Sequence, residues 1–165
     1  MTKSKSNIEE SADYCETPLS HHFTSLARNY YGALTHRLKD ADIDRYFFII
    51  SLVINNKDIT QQGIADCLGL EKTYVVKIID YLSDKGYLKR KINPADRRKH
   101  LLVPTKKALA FYPELKNNFH LMNELAFKGF TKKEVNIFYN QLEKIFHNIS
   151  GLPVDQYIVK YTKVK

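Results

Sequence analysis

Along most of this chain apolar residues recur at helical spacing, and the pattern is broken once by two short strand-like runs. Phe23, Leu26, Ala27, Tyr30, Leu34 and Leu38 predict a long first helix from about residue 18 to Lys39, interrupted by Asp40-Ala41-Asp42. Residues 45–54, RYFFIISLVI, are nearly all apolar, and by pattern alone they fit a buried strand as well as a buried helix. Thr60 is a suitable N-cap for a short helix with Ile64, Ala65 and Leu68 on one face, and Gly69 ends it by permitting a positive φ. Val75, Ile78, Ile79 and Leu82 then fall at i, i+3, i+4 and i+7, the apolar face of a second helix that stops at Gly86. Thr73, Tyr74, Val76 and Lys77 lie on the opposite face.

The strand-like runs are Tyr87–Lys91 and His100–Val103, with Asn93-Pro94 marking a turn between them. Residues 93–99 form the tip of the resulting hairpin. Lys89, Arg90, Lys91, Arg97, Arg98 and Lys99 gather on it against a single acid, Asp96. Basic residues on a hairpin can simply be a solvated edge that blocks strand pairing. Two short helices joined through a glycine, followed by a positive hairpin, instead make a winged helix-turn-helix. In that arrangement the second helix enters a major groove and the wing reaches phosphates or the adjacent minor groove.

Beyond the hairpin, Thr105 caps a helix beginning at Lys106, and Pro113 either kinks that helix or starts a new one; a kink is expected. Leu115, Phe119, Met122 and Leu125 carry the pattern to Gly129. Thr131 and Glu134 have the spacing of a capping box, and the helix they open presents Val135, Phe138, Leu142 and Ile145 before ending at Gly151-Leu152-Pro153. The fold class is therefore mainly α with a small β-hairpin wing. Residues 1–16 are polar, without period, and expected to be mobile, while the tail at 152–165 has more apolar character than a free end requires.

The segments LGLEKTYVVKIIDYLSDKGYLKR and DRRKHLLVPT, at their separation here, resemble the multiple antibiotic resistance regulator (MarR) family. The resemblance covers roughly residues 21–149. It favours a helix over 45–54 and implies one domain over 17–151, with the winged unit at 43–104 and dimerisation helices at 18–39 and 105–150. It also makes Ile59 a short strand beside the wing. Carried over by position, Thr73, Tyr74, Val76 and Lys77 match the family's base-facing helix positions, and Lys72 beside them is a further DNA-binding candidate. Asp96 and Arg98 match its Asp-x-Arg wing signature, with Arg97 and Lys99 beside them, and Thr105 matches the threonine opening the next helix. Gly63, Pro104 and Ala108 depart from the family pattern, and none is a proposed DNA contact. The resemblance further implies a two-fold dimer on a palindromic operator, a repressor relieved by a small aromatic or anionic ligand, and a ligand pocket near Tyr30, Tyr31, His36, Arg45 and Phe47. Tyr74 packs on a sugar-phosphate edge or lies idle. Asp96 neutralises Arg97 or holds Arg98 extended.

The charge of +8 and pI near 9.3 favour a polyanionic partner. Clustering on the wing favours double-stranded DNA over a membrane surface, and no apolar run approaches the roughly 20 residues of a membrane helix, so the protein is expected in the cytoplasm. Enzyme motifs are missing: there is no Gly-rich phosphate loop, zinc spacing or nucleophile beside a base, and no cofactor is expected. Cys15 and Cys67 are too few for a disulfide framework. A redox-sensing regulator using Cys15 is one alternative, although Glu16 beside it would raise the thiol pKa. Cys67 is expected to be buried and inert. Metal binding by His21, His22 and Cys15 is disfavoured because adjacent helical residues point some 100° apart. A non-specific architectural winged helix is the remaining alternative.

Overall fold

The computed structural model describes residues 17–153 except 44, 45, 95 and 98. The expectations placed on Cys15, Arg45, Arg98, the segment 1–16 and the end of the tail lie outside the described residues.

Helix α1 (Leu19–Arg37) starts after Pro18 and is followed by a single 3-10 turn, Lys39–Ala41. Asp42 then takes the left-handed conformation at φ 50°, which a short polar side chain tolerates, and the chain turns into α2 (Phe47–Asn55). The ambiguous apolar run is thus a helix. Phe47, Ile49, Ile50 and Val53 are all buried, because α2 packs against both the hairpin and the first long helix after it.

Helices α3 (Gln61–Leu68) and α4 (Lys72–Asp84) form the helix-turn-helix. The Thr60 hydroxyl accepts the Gly63 amide at 3.0 Å, so glycine at that position does not prevent capping. Gly69, at φ 60°, reverses the chain between the two helices. All four expected core residues of α4 are buried.

Strands β1 (Leu88–Ile92) and β2 (His100–Pro104) pair antiparallel from Leu88 opposite Pro104 to Ile92 opposite His100. β1 sits one residue later than periodicity suggested, while β2 starts at the expected His100 and runs one residue further. Tyr87 precedes β1: its ring is buried, its hydroxyl donates to the Ala41 carbonyl at 2.8 Å, and its own carbonyl accepts from the Thr105 amide at 3.0 Å. As expected, the segment before α3 adds a short third edge: the Leu102 amide donates to the Ile59 carbonyl at 2.9 Å, and Thr60 bridges Leu101.

Helix α5 (Lys106–Ala126) is capped by Thr105 and runs on through Pro113 without a second helix starting there. It lies against α1, where the Tyr30 hydroxyl donates to Asn123 at 2.8 Å and Arg37 donates to the buried Asn118 at 2.9 Å. Helix α6 (Lys132–Ser150) opens on the expected capping box, with the Thr131 amide donating to Glu134 at 2.7 Å. One core joins α1 through α5, from Leu34 to Met122. No residue of α6 is buried, and Phe138, Phe146 and Ile149 are exposed on it.

Candidate nucleic-acid interface

Core packing of Val75, Ile78, Ile79 and Leu82 fixes which side of α4 faces outward. Lys72, Thr73 and Lys77 are exposed on that side. The Thr73 hydroxyl donates to the Glu71 carboxylate at 3.3 Å across the first turn. Tyr74 and Val76 are only half-buried boundary residues, so the open face is narrower than the periodicity predicted. Tyr74 packs on the core cluster, and its hydroxyl is 3.4 Å from that of Tyr46. At about 100° per residue, Tyr74 stands beside buried Val75 and one turn before buried Ile78, which draws its ring inward.

The wing tip is closed by two backbone bonds, Asn93 N–H to the Lys99 carbonyl and Lys99 N–H to the Asp96 carbonyl. Lys89, Lys91, Arg97 and Lys99 are exposed along the hairpin. Asp96 lies 3.8 Å from the Lys99 ammonium, a cation that neither reading of Asp96 had assigned to it. Arg90 points elsewhere. Its guanidinium meets Asp80 of α4 at 2.7 Å, and Gln61, with its amide oxygen turned toward it, accepts at 2.8 Å. Arg90 therefore ties the wing to both helices of the helix-turn-helix. No local signal marks this tie, since its partners come from three separate elements.

The residues expected around a ligand pocket are divided by the fold. Phe47 is fully buried in the core, so it cannot line an open pocket in this conformation. The Tyr30 hydroxyl is already engaged with Asn123, and its pKa is raised by burial and then by the neighbouring Tyr139 and Tyr31. Tyr31 is half-buried, its ring edge-to-face with that of Tyr30 at 6.2 Å, and His36 is exposed. Cys67 is exposed rather than buried, because Ile64 and Ala65 occupy the inward face of the short helix α3 and leave Cys67 off it. Among the described residues no helix is long and apolar enough to cross a membrane.

A helix-turn-helix with an outward second helix and a basic two-stranded wing, held on one core, defines a winged-helix fold. The MarR family model matches residues 44–99, from just before α2 to the end of the wing tip, so this stretch is similar to the MarR family. Solved structures agree in fold. A putative MarR family regulator from Listeria monocytogenes, described as complexed with 26mer DNA, is 26% identical with a TM-score of 0.73, covering 81% of this chain and 90% of its own. A MarR protein from Peptoclostridium difficile is 22% identical with a TM-score of 0.75, covering 89% and 95%. CouR from Rhodococcus jostii, bound to p-coumaroyl-CoA, is 20% identical with a TM-score of 0.70, covering 81% and 95%.

Proposed function

We propose that this protein is a homodimeric, sequence-specific DNA-binding transcription regulator, a repressor of a palindromic operator that a small ligand relieves. The observation that carries the reading is the pairing of two surfaces on one rigid unit: the exposed Lys72, Thr73 and Lys77 of α4, and the cationic wing held to α4 through Arg90 and Asp80. Helix side chains read base edges in a major groove, and wing cations bind the flanking backbone. Arg97, Arg98, Lys99 and Asp96 supply the wing contact, with Tyr74 and Val76 at the margin of the helix contact. The Listeria relative complexed with DNA supports the partner.

Dimerisation is supported by α6, none of whose residues is buried by the described part of the chain, as a helix shared with a second copy requires. Two copies related by a two-fold axis place two α4 helices on one side, matching half-sites about one helical turn apart. A ligand near Tyr30, Tyr31, His36 and Arg45 is supported by the resemblance and by the relative bound to p-coumaroyl-CoA; of these residues Tyr30, Tyr31 and His36 lie on α1. Competition between an operator selected from genomic fragments and random duplex at fixed salt tests the function. A regulator prefers its site by roughly 10³-fold or more, whereas an architectural protein shows little preference.

A further inference from the structure

At the base of the wing, where α4 ends, β1 begins and α5 starts, the surface forms an open cleft of about 790 Å³. Lys89 and Arg90 enter it from β1, and Lys106 and Lys107 from the first turn of α5. No carboxylate stands among the described residues lining it. The first turn of α5 also contains no acid, so two lysines sit at the positive end of a 21-residue helix dipole, the reverse of the favourable placement. Thr105 uses its hydroxyl on the Ala108 amide, one of the four donors that a helix start leaves open.

Two of the four cations are fixed by the protein itself. Arg90 is held by Asp80, and the Lys107 ammonium donates to the Lys85 carbonyl at 2.9 Å while lying 4.3 Å from the centre of the Tyr87 ring. Lys89 and Lys106 are exposed, with no ion pair among the described residues. In the wall, the Ser83 hydroxyl is buried, with no hydrogen-bond partner among the described residues. Lys89 and Lys106 are left beside the positive end of the α5 dipole, and one multiply charged anion would relieve their repulsion with it.

We infer that this cleft binds the phosphoryl group of a small anionic ligand. Lysine ammonium groups and helix-start amides suit phosphoryl oxygens, and Lys89 and Lys106, which have no ion pair among the described residues, match a group carrying more than one negative charge. The operator is not the occupant. DNA faces the first turn of α4 and the wing tip, whereas the cleft lies at the last turn of α4 and the hairpin base, with a helix length of about 20 Å between the two ends. A ligand there bridges α4, β1 and α5, and so links the winged unit to the helix that leads into the dimer. Its effect on operator binding rests on the proposed function; its binding does not.

The test is a pyrophosphate titration of the full chain at constant ionic strength, with chloride replaced, followed by amide resonances. Saturable shifts are expected at Ser83, Gly86, Leu88 and Lys106. They should weaken by roughly tenfold or more in a Lys89→Ala/Lys106→Ala variant and persist in Lys99→Ala. Absence of saturable shifts, or their equal loss in Lys99→Ala, overturns the site. If the double variant loses affinity for random duplex as strongly as Lys99→Ala does, the cleft follows the DNA backbone and the free-ligand inference is overturned. Saturable shifts in a protein without operator preference would sustain the cleft and overturn the regulator reading instead.

Discussion

The winged unit and the last helix dispose of their apolar residues in opposite ways. Along α4 Val75, Ile78, Ile79 and Leu82 are buried by α3, β1 and the rest of the core, and Gly86 turns the chain just past its end. Along α6 the amphipathic pattern is equally regular and its capping box is complete, yet Phe146 is 70% exposed and Ile149 53%. Periodicity alone therefore does not say who covers a helix face. A face covered in its own chain contributes to the fold, and an uncovered one of this length is the face that the proposed dimer would cover.

The largest expected effect falls on the covered side. Leu82→Ala removes a fully buried side chain and should cost about 2–5 kcal/mol in urea unfolding. Phe146→Ala should leave unfolding of the separated chain within about 0.5 kcal/mol while shifting the dimer toward monomer in sedimentation. Removing residues 131–165 should cause monomerisation or aggregation at micromolar concentration. A soluble, well-folded truncated dimer, or a truncated monomer as well behaved as the parent, would break the contrast drawn between the two regions.

The next effect sharpens the division within the winged unit. Lys77→Ala should cost about 1–3 kcal/mol on the cognate operator and much less on random duplex. Arg98→Ala should weaken both duplexes by similar factors and flatten the salt dependence, since neutralised phosphates release counterions whatever the sequence. Arg90→Ala separates positioning from contact. Because Arg90 is committed to Asp80 and Gln61, its loss should lower cognate affinity without reducing the salt slope, measured across a salt series.

Smaller effects come from the caps. Gly86 lies at φ 76°, and Gly86→Ala should cost about 1–2 kcal/mol in thermal unfolding, from backbone strain rather than from crowding. Thr131→Ala should cost about 1 kcal/mol at neutral pH. The Glu134 carboxyl is held below its ordinary range by the Thr131 amide and then by the Thr131 hydroxyl. A depressed folded-state pKa stabilises above the unfolded value and the contribution is lost as pH falls through the folded one. The difference in melting temperature between Thr131→Ala and the parent should therefore shrink on acidification; a difference independent of pH would separate the cap from Glu134.

Local chemistry made much of this molecule legible from residue order. Thr60, Thr105 and Thr131 each cap a helix through an amide three residues on, Gly69 and Gly86 stop helices at positive φ, and the core face of α4 follows from 3.6-residue periodicity. Such features depend on a few neighbouring residues, so the sequence states them directly. Tertiary structure decided what depends on distant partners. Residues 47–55 form a helix that packs against β2 and α5, and the buried Tyr87 sends its hydroxyl to a carbonyl 46 residues away. Arg90 became a tie between wing and helices, Phe47 went wholly into the core, and Tyr74 was drawn half inside by the ring and hydroxyl contacts around Tyr46. Each of these side chains has a local pattern compatible with two environments, and only the packing of remote elements selects between burial, ion pairing and exposure.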